Sequence, residues 1–501
     1  MHVEHLIVGA GFAGLCAAIK LQDDGERDFL VVERGPDVGG TWRDNTYPGA
    51  ACDVPSQLYS FSFAPNPHWS RSFSPQPEIQ AYLQRVARKS GTLDRFSFHT
   101  ALEDARWDDE ARLWRSRITG PDGEREITST TLIVGAGALS EPKLPDIDGI
   151  DGFQGHLFHS AQWDHDVDLA GRRVAIIGTG ASAIQIIPEV QRVLAQTGGH
   201  LDVYQRTAPW VIPRADRAYT RLERLLMRRL PAVQRAYRGA IYLSREMLVP
   251  GLTVSRAFSA PLKRAAKANL RTGVRDPQLR ARLTPSFDIG CKRMLISNTY
   301  YPAMSAPEVE LVTDPIAKVT GDAVVTADGT ERPVDVLVVA TGFHTTDLPI
   351  AERIRGRDGR TLAQVWEERG MAAYKGTTVP GCPNLFLLVG PNTGQGHTSM
   401  VFIIEAQVEY LRGAVRALRR AGRAGRAALE PTPEAFGAWN ASLQRRMRRT
   451  VWTTGGCSSW YLDEHGNNPT LWPRSTLSFR RHLARFDADA YTVTTREEQV
   501  A

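Results

Sequence analysis

Cysteine is scarce in this chain of 501 residues: five are present, at 16, 52, 291, 382 and 457. None forms a C-x-x-C, and the number is odd. A disulfide framework or a zinc knuckle is therefore not expected, and a reducing compartment fits best. No run of 18 or more apolar residues occurs, so no transmembrane helix is predicted. The apolar stretch 6–21 lacks a basic lead and a cleavage site, which argues against a signal peptide and for a cytoplasmic location. Gly-x-Ser-x-Gly is absent, which removes a hydrolase built on a nucleophile elbow. Short tandem repeats are also missing. Two His pairs three residues apart, His2/His5 and His156/His159, come without further ligands, so no metal site is expected. What remains is ordinary globular composition, 42% hydrophobic and 23% charged, which excludes a disordered or fibrous chain. The length corresponds to roughly three units of about 150 residues.

Acidic residues are nearly missing from one segment. Residues 217–282 hold sixteen Lys/Arg against Glu223, Glu246 and Asp276, a local +13, so the rest of the chain carries −7 against the overall +6. Such a block suits an anionic partner: nucleic acid, a membrane surface or a phosphorylated cofactor. The plain alternative is a solvated, Arg-rich helical face. The aromatics that a single-strand binder interleaves are lacking, so no nucleic acid is expected, and membrane contact would be peripheral and weak. The apolar pattern over 215–285 predicts two or three helices. A further helical stretch, 400–447, is expected to break near Gly422–Gly425.

Two segments carry the strongest pattern. HLIVGAG is an apolar strand entering Gly9-x-Gly11-x-x-Gly14, followed by a helix and a second strand ending at Glu33. The arrangement returns at RRVAIIG, with Gly178-x-Gly180-x-x-Ala183, Ser182 inside the turn, a helix, and a strand ending near Arg206 and Thr207. In each copy the glycines let backbone approach a pyrophosphate whose charge rests on a helix N-terminus. Glu33 is an acid suited to a ribose 2′-hydroxyl, whereas Arg206 is a cation suited to a 2′-phosphate. One site of each kind points to a flavoprotein that takes electrons from NADPH. The predicted fold is α/β with two Rossmann-like dinucleotide-binding domains, for FAD and NADP, and a helical insertion in the second. The FAD domain is read as 1–147 with 345–501, and the NADP domain as 148–344, including the insertion 215–285. A redox dithiol after the first unit is excluded, because only Cys52 lies there, and oxygen is the obvious electron acceptor.

Between the two units stands Phe153-x-Gly155-x-x-x-His159-x-x-x-Trp163-Asp164. With Gly40-x-Trp42, Tyr47-Pro48-Gly49, Asp53 and Ala340-Thr341-Gly342-Phe343, this resembles the Baeyer–Villiger monooxygenases, the class B flavin monooxygenases, over essentially the whole chain. The resemblance implies FAD and NADPH as cofactors, and a ketone and O2 as substrates. One oxygen atom would be inserted beside the carbonyl through a C4a-peroxyflavin, giving an ester or lactone. The same scaffold acting on nitrogen or sulfur is the alternative. The resemblance also implies Asp53 and Arg293 as active-site residues. Gly40, Trp42 and Tyr59 would bind cofactor, and Lys292, Arg206 and Thr207 the NADP phosphate. His159 would couple domain movement to cofactor binding. A guanidinium is suited to the task because it stays protonated and can stabilise the anions that develop as oxygen adds to a carbonyl. The first strand begins almost at once, so the N-terminal extension of larger relatives is expected to be missing.

Overall fold

The computed structural model describes residues 1–422, 426–463 and 465–495. Strands His2–Val8 and Phe29–Val32 pair in parallel around helix Phe12–Asp23. Leu6, Ile7 and Val31 are wholly buried, because helices and sheet cover both faces; the strands therefore read as unbroken apolar runs rather than alternations. The sheet continues through Gly123–Val134 into the antiparallel strands Leu113–Gly120 and Ala101–Asp108. Ile354–Arg355 and Leu385–Leu387 join the same sheet from far along the chain. Helix Met400–Ala421 then packs on Phe12–Asp23.

A second sheet is all parallel, in the order Val309–Val312, His200–Tyr204, Arg173–Ile177, Val336–Val339, His156–His159. Alternate side chains along each strand face opposite covers. Val174, Ile176 and Val203 meet helix Ala183–Thr197, while Ala175, Ile177 and Tyr204 meet a small antiparallel sheet, Ile316–Val319, Ala323–Thr326 and Glu331–Pro333. The α/β fold with two dinucleotide-type units is the one the sequence predicts.

Three expectations need correction or completion. Between 221 and 282 there are five short α-helices, not two or three: Arg221–Arg229, Pro231–Glu246, Val249–Thr253, Ala260–Gly273 and Pro277–Arg282. Proline stands in the first turn of the last four, where it is tolerated, but it ends whatever helix precedes it. Apolar periodicity runs straight through such stops. The break in 400–447 falls partly on 423–425, outside the described residues; the first helix ends at Ala421, and strand Ala428–Pro431 precedes helix Pro433–Met447. Finally, Cys291 and Cys457 form a disulfide, their Cα atoms 6.2 Å apart, against the expectation of none. The pair is separated by 166 residues, so no local spacing could announce it. Tertiary folding brings the two loops together, with the Asp288 amide donating to the Gly455 carbonyl beside them (3.0 Å). Among the described residues, no helix is long and apolar enough to cross a membrane.

Candidate active site

Each glycine-rich turn is shaped by close backbone approach. Gly9 has φ +96°, and a Cβ there would stand 2.7 Å from the Gly135 carbonyl oxygen. A Cβ on Gly14 would stand 1.8 Å from the Gly9 carbonyl oxygen, so only glycine lets helix Phe12–Asp23 sit this close to the strand. Gly11, by contrast, faces only Gly40, whose Cα would be 3.7 Å from a Cβ. The helix has no side-chain cap, which leaves its first N–H groups free for an anion. The second turn repeats the plan. Gly178 has φ +114° and would clash with the Ala340 carbonyl, while Gly180 has nothing within 4 Å. Ser182 caps helix Ala183–Thr197 without a side-chain bond, and the buried Ala183 methyl is accommodated. Both turns fit a dinucleotide pyrophosphate.

The ends of the second strands differ. Glu33 is 5% exposed and already engaged: it accepts from the amides of Ala10 and Gly35, each at 2.8 Å, and pairs with Arg43 at 2.8 Å. Arg206 is exposed. Lys292 lies near it, half-buried over the Phe287 ring at 5.3 Å. Burial and the Arg206 charge hold the Lys292 pKa below its ordinary value. Thr207 accepts from Thr179 Oγ1 through its carbonyl at 3.3 Å. This open cationic corner fits a 2′-phosphate.

The 47–53 loop joins the halves. Tyr47 Oη donates to Gln185 Oε1 at 3.0 Å, and Gln185 Nε2 donates to the Ala51 carbonyl at 3.0 Å. Gly49 packs so tightly that a Cβ would lie 2.6 Å from the Gln185 carbonyl oxygen. This docking holds Asp53, whose carboxylate takes two bonds from Arg293: Nε to Oδ2 at 2.7 Å and Nη2 to Oδ1 at 2.8 Å. Arg293 Nη1 also donates to the Gln395 carbonyl at 3.4 Å. Burial alone would raise the Asp53 pKa, but the Arg293 charge and its paired bonds outweigh that and hold it below the usual carboxylate range. In turn Asp53 keeps Arg293 firmly protonated. Trp42 Nε1 donates to Tyr59 Oη at 3.0 Å, the two rings edge to face, and Gly40 sits against Gly11. Trp42 and Tyr59 thus lie together, and Gly40 lies against the first glycine turn.

The fingerprint residues occupy the crossing between the two units. His159 is buried; its Nδ1 accepts from the Ala161 amide at 3.1 Å and its ring meets Phe343 edge-on at 5.6 Å. Burial depresses its pKa, favouring the neutral ring. Gly155 is required because a Cβ would lie 2.6 Å from the Asp335 carbonyl oxygen. Trp163 packs on Phe158, and Phe153 belongs to the apolar cluster beneath the small sheet. Asp164 is exposed and accepts from the Asp166 amide. These contacts are architectural. Beside them the return linker is pinned, the Gly342 carbonyl accepting from the Lys143 amide at 2.9 Å.

Sequence reasoning missed several neighbours of Arg293. Tyr461 is buried there, its pKa pushed up to about 12 by burial against the pull of Arg293. On helix Pro231–Glu246, burial lowers the Arg245 pKa against the pull of the Asp53 charge. Gln395 has a buried side-chain amide with neither end partnered among the described residues. Only the Gly-rich run around Gln395 offered a signal. His2 and His5 bond Thr128 and Thr131 separately. His200, Asp202 and Glu310 do cluster within 4.8 Å, but Arg332 already pairs with Glu310 at 2.9 Å.

Residues 4–245 match the family described as flavin-binding monooxygenase-like. A Baeyer–Villiger monooxygenase of Streptomyces coelicolor is 49% identical across 98% of this chain and 93% of its own length. One of Pseudomonas aeruginosa is 45% identical across 99% and 92%. The crystal structure of cyclohexanone monooxygenase from Rhodococcus sp. Phi1 bound to NADP+ superposes with a TM-score of 0.86 at 28% identity, covering 99% of both chains. With two dinucleotide-type turns, an Asp–Arg ion pair and near-full-length relatives of this kind, the chain belongs to the Baeyer–Villiger monooxygenases and is an FAD- and NADPH-dependent enzyme.

Proposed function

We propose that Arg293 is the catalytic cation and Asp53 its positioning partner in the conversion of a ketone to an ester or lactone with O2 and NADPH. The bidentate Asp53–Arg293 pair carries this reading. Bound FAD, once reduced by NADPH, supplies the chemistry that activates oxygen. Arg293 then donates hydrogen bonds to the ketone oxygen as negative charge builds on it. A fixed guanidinium does this without reorganising, which is where electrostatic stabilisation is strongest. Asp53 fixes the fork and balances its charge between turnovers. Gly9, Gly11 and Gly14 would seat the FAD pyrophosphate, with Glu33 at its ribose; Gly178, Gly180 and Ser182 would seat that of NADP, with Arg206, Thr207 and Lys292 at its 2′-phosphate. The reading assigns 1–147 and 345–501 to the FAD unit and 148–344 to the NADP unit. The likeness to cyclohexanone monooxygenase supports a ketone as substrate.

The test is product analysis. FAD-loaded enzyme, NADPH and a ketone panel are incubated, and esters are identified by mass spectrometry with labelled O2. Arg293→Ala is expected to lower ester formation by about 10²–10³-fold, while NADPH still reduces the flavin. Wild-type ester yield from Arg293→Ala, or products only from amines and sulfides, would overturn the assignment.

A further inference from the structure

Helix Pro231–Glu246 has two unlike faces. Gln234 donates to Gln57 Oε1 at 2.8 Å, and Arg238 donates to the Gln57 carbonyl and to Ser60 Oγ. Tyr242 and Glu246 reach Thr476. That face packs on the flavin side. The opposite face is apolar and open: Val233, Ala236, Ala240, Leu243 and Met247, spaced three and four apart, are all exposed. Leu243 is 65% exposed and Met247 73%. The neighbouring helix adds Leu222, Leu225 and Leu226, and the following turn adds Val254 and Phe258. Nine of the fifteen large hydrophobic side chains exposed among the described residues fall within 222–258. A concentration like this on one surface marks an interaction site.

The same surface is cationic. Exposed Arg221, Arg228, Arg229 and Arg235 have no ion pair among the described residues. The three acids of the block are spent elsewhere. Glu223 pairs with Arg217 and closes the Thr220 capping box. Glu246 turns inward to His397 and Thr476, and Asp276 caps helix Pro277–Arg282. Exposed leucines, methionine and phenylalanine beside unpaired arginines match an element that lies in a membrane interface, with apolar side chains in the acyl boundary and cations at anionic headgroups. A second copy is disfavoured, because a two-fold contact would oppose this patch with itself and bring the same arginines together. Nucleic acid would leave the apolar row unused.

The geometry points to the outer face of residues 221–258 as a surface that docks the enzyme on anionic lipid, independently of which ketone it oxidises. Full-length, FAD-loaded protein is sedimented with vesicles of phosphatidylcholine alone or mixed with phosphatidylglycerol. Pelleting is expected only with the mixed vesicles, and added salt should weaken it. Leu243→Ser with Met247→Ser, and separately Arg228→Glu with Arg229→Glu, should each reduce pelleting by about tenfold. Flavin reduction by NADPH should stay unchanged in both, which also verifies folding. Should either double variant lose FAD, Val254→Ser with Phe258→Ser replaces it. Absence of pelleting with mixed vesicles overturns the inference. So does a dimer that Leu243→Ser with Met247→Ser dissociates while pelleting persists, or heparin binding with pelleting indifferent to the serine changes.

Discussion

The two glycine-rich turns are near copies in backbone, yet the strand ends beside them are finished in opposite ways. Glu33 is buried and held by two amides and Arg43. Arg206 stands in solvent near Lys292, whose pKa its charge helps to hold down. The Glu33 end, proposed for FAD, is thus a preformed socket, suited to a group that stays. The Arg206 end, proposed for NADP, is an exposed cationic corner, suited to a phosphate that comes and goes. Pre-organisation lowers the cost of binding, whereas an uncompensated cationic pair gains most from the ligand that neutralises it.

Four experiments would break or sharpen this contrast. The largest effect should come from Gly14→Ala: the new methyl would meet the Gly9 carbonyl at 1.8 Å, so the purified protein should hold little FAD by absorbance, while Gly180→Ala, facing open space, should keep its FAD and only raise the KM for NADPH. Equal flavin content in the two would erase the distinction. Next is Cys457→Ser, which unties the Lys292–Arg293 segment from the loop at 454–457; a lost disulfide is worth about 2–4 kcal/mol, to be read as a lower melting temperature that added dithiol no longer shifts. Arg206→Glu should then raise the KM for NADPH roughly 10- to 100-fold, since bonds to charged groups carry about 1.5–3 kcal/mol, with flavin content unaltered. The smallest effect is at His159. Its folded pKa is depressed, so the unfolded chain takes up a proton that the folded chain refuses. Stability should therefore fall as pH drops below about 6.5, and urea titrations of His159→Gln should show a shallower pH dependence over that window.

The parts of the fold visible in sequence are those set by neighbours along the chain. Unbroken apolar strands before Gly9 and Gly178, and the acid or cation at each second strand end, are local patterns with local causes. Asp53 and Arg293 were nameable only through family resemblance, since nothing in either segment indicates that residues 240 apart share two hydrogen bonds. The fingerprint was legible as a motif, but the contacts around it are packing: Gly155 clears Asp335, Trp163 leans on Phe158, and His159 meets Phe343. The helix count in the basic block differs from the expected one because apolar period is blind to the prolines that start the last four helices.

The sequence by itself therefore determined two dinucleotide turns, the opposite charges at their second strand ends and the lack of a cysteine pair after the first unit, because these follow from backbone freedom and residue identity at fixed spacing. Only the tertiary structure decided the pairing of Cys291 with Cys457, the approach of Arg245, Gln395 and Tyr461 to Arg293, and which face of Pro231–Glu246 stays bare. Those depend on segments far apart in the chain meeting in space, and a linear pattern carries no record of that meeting.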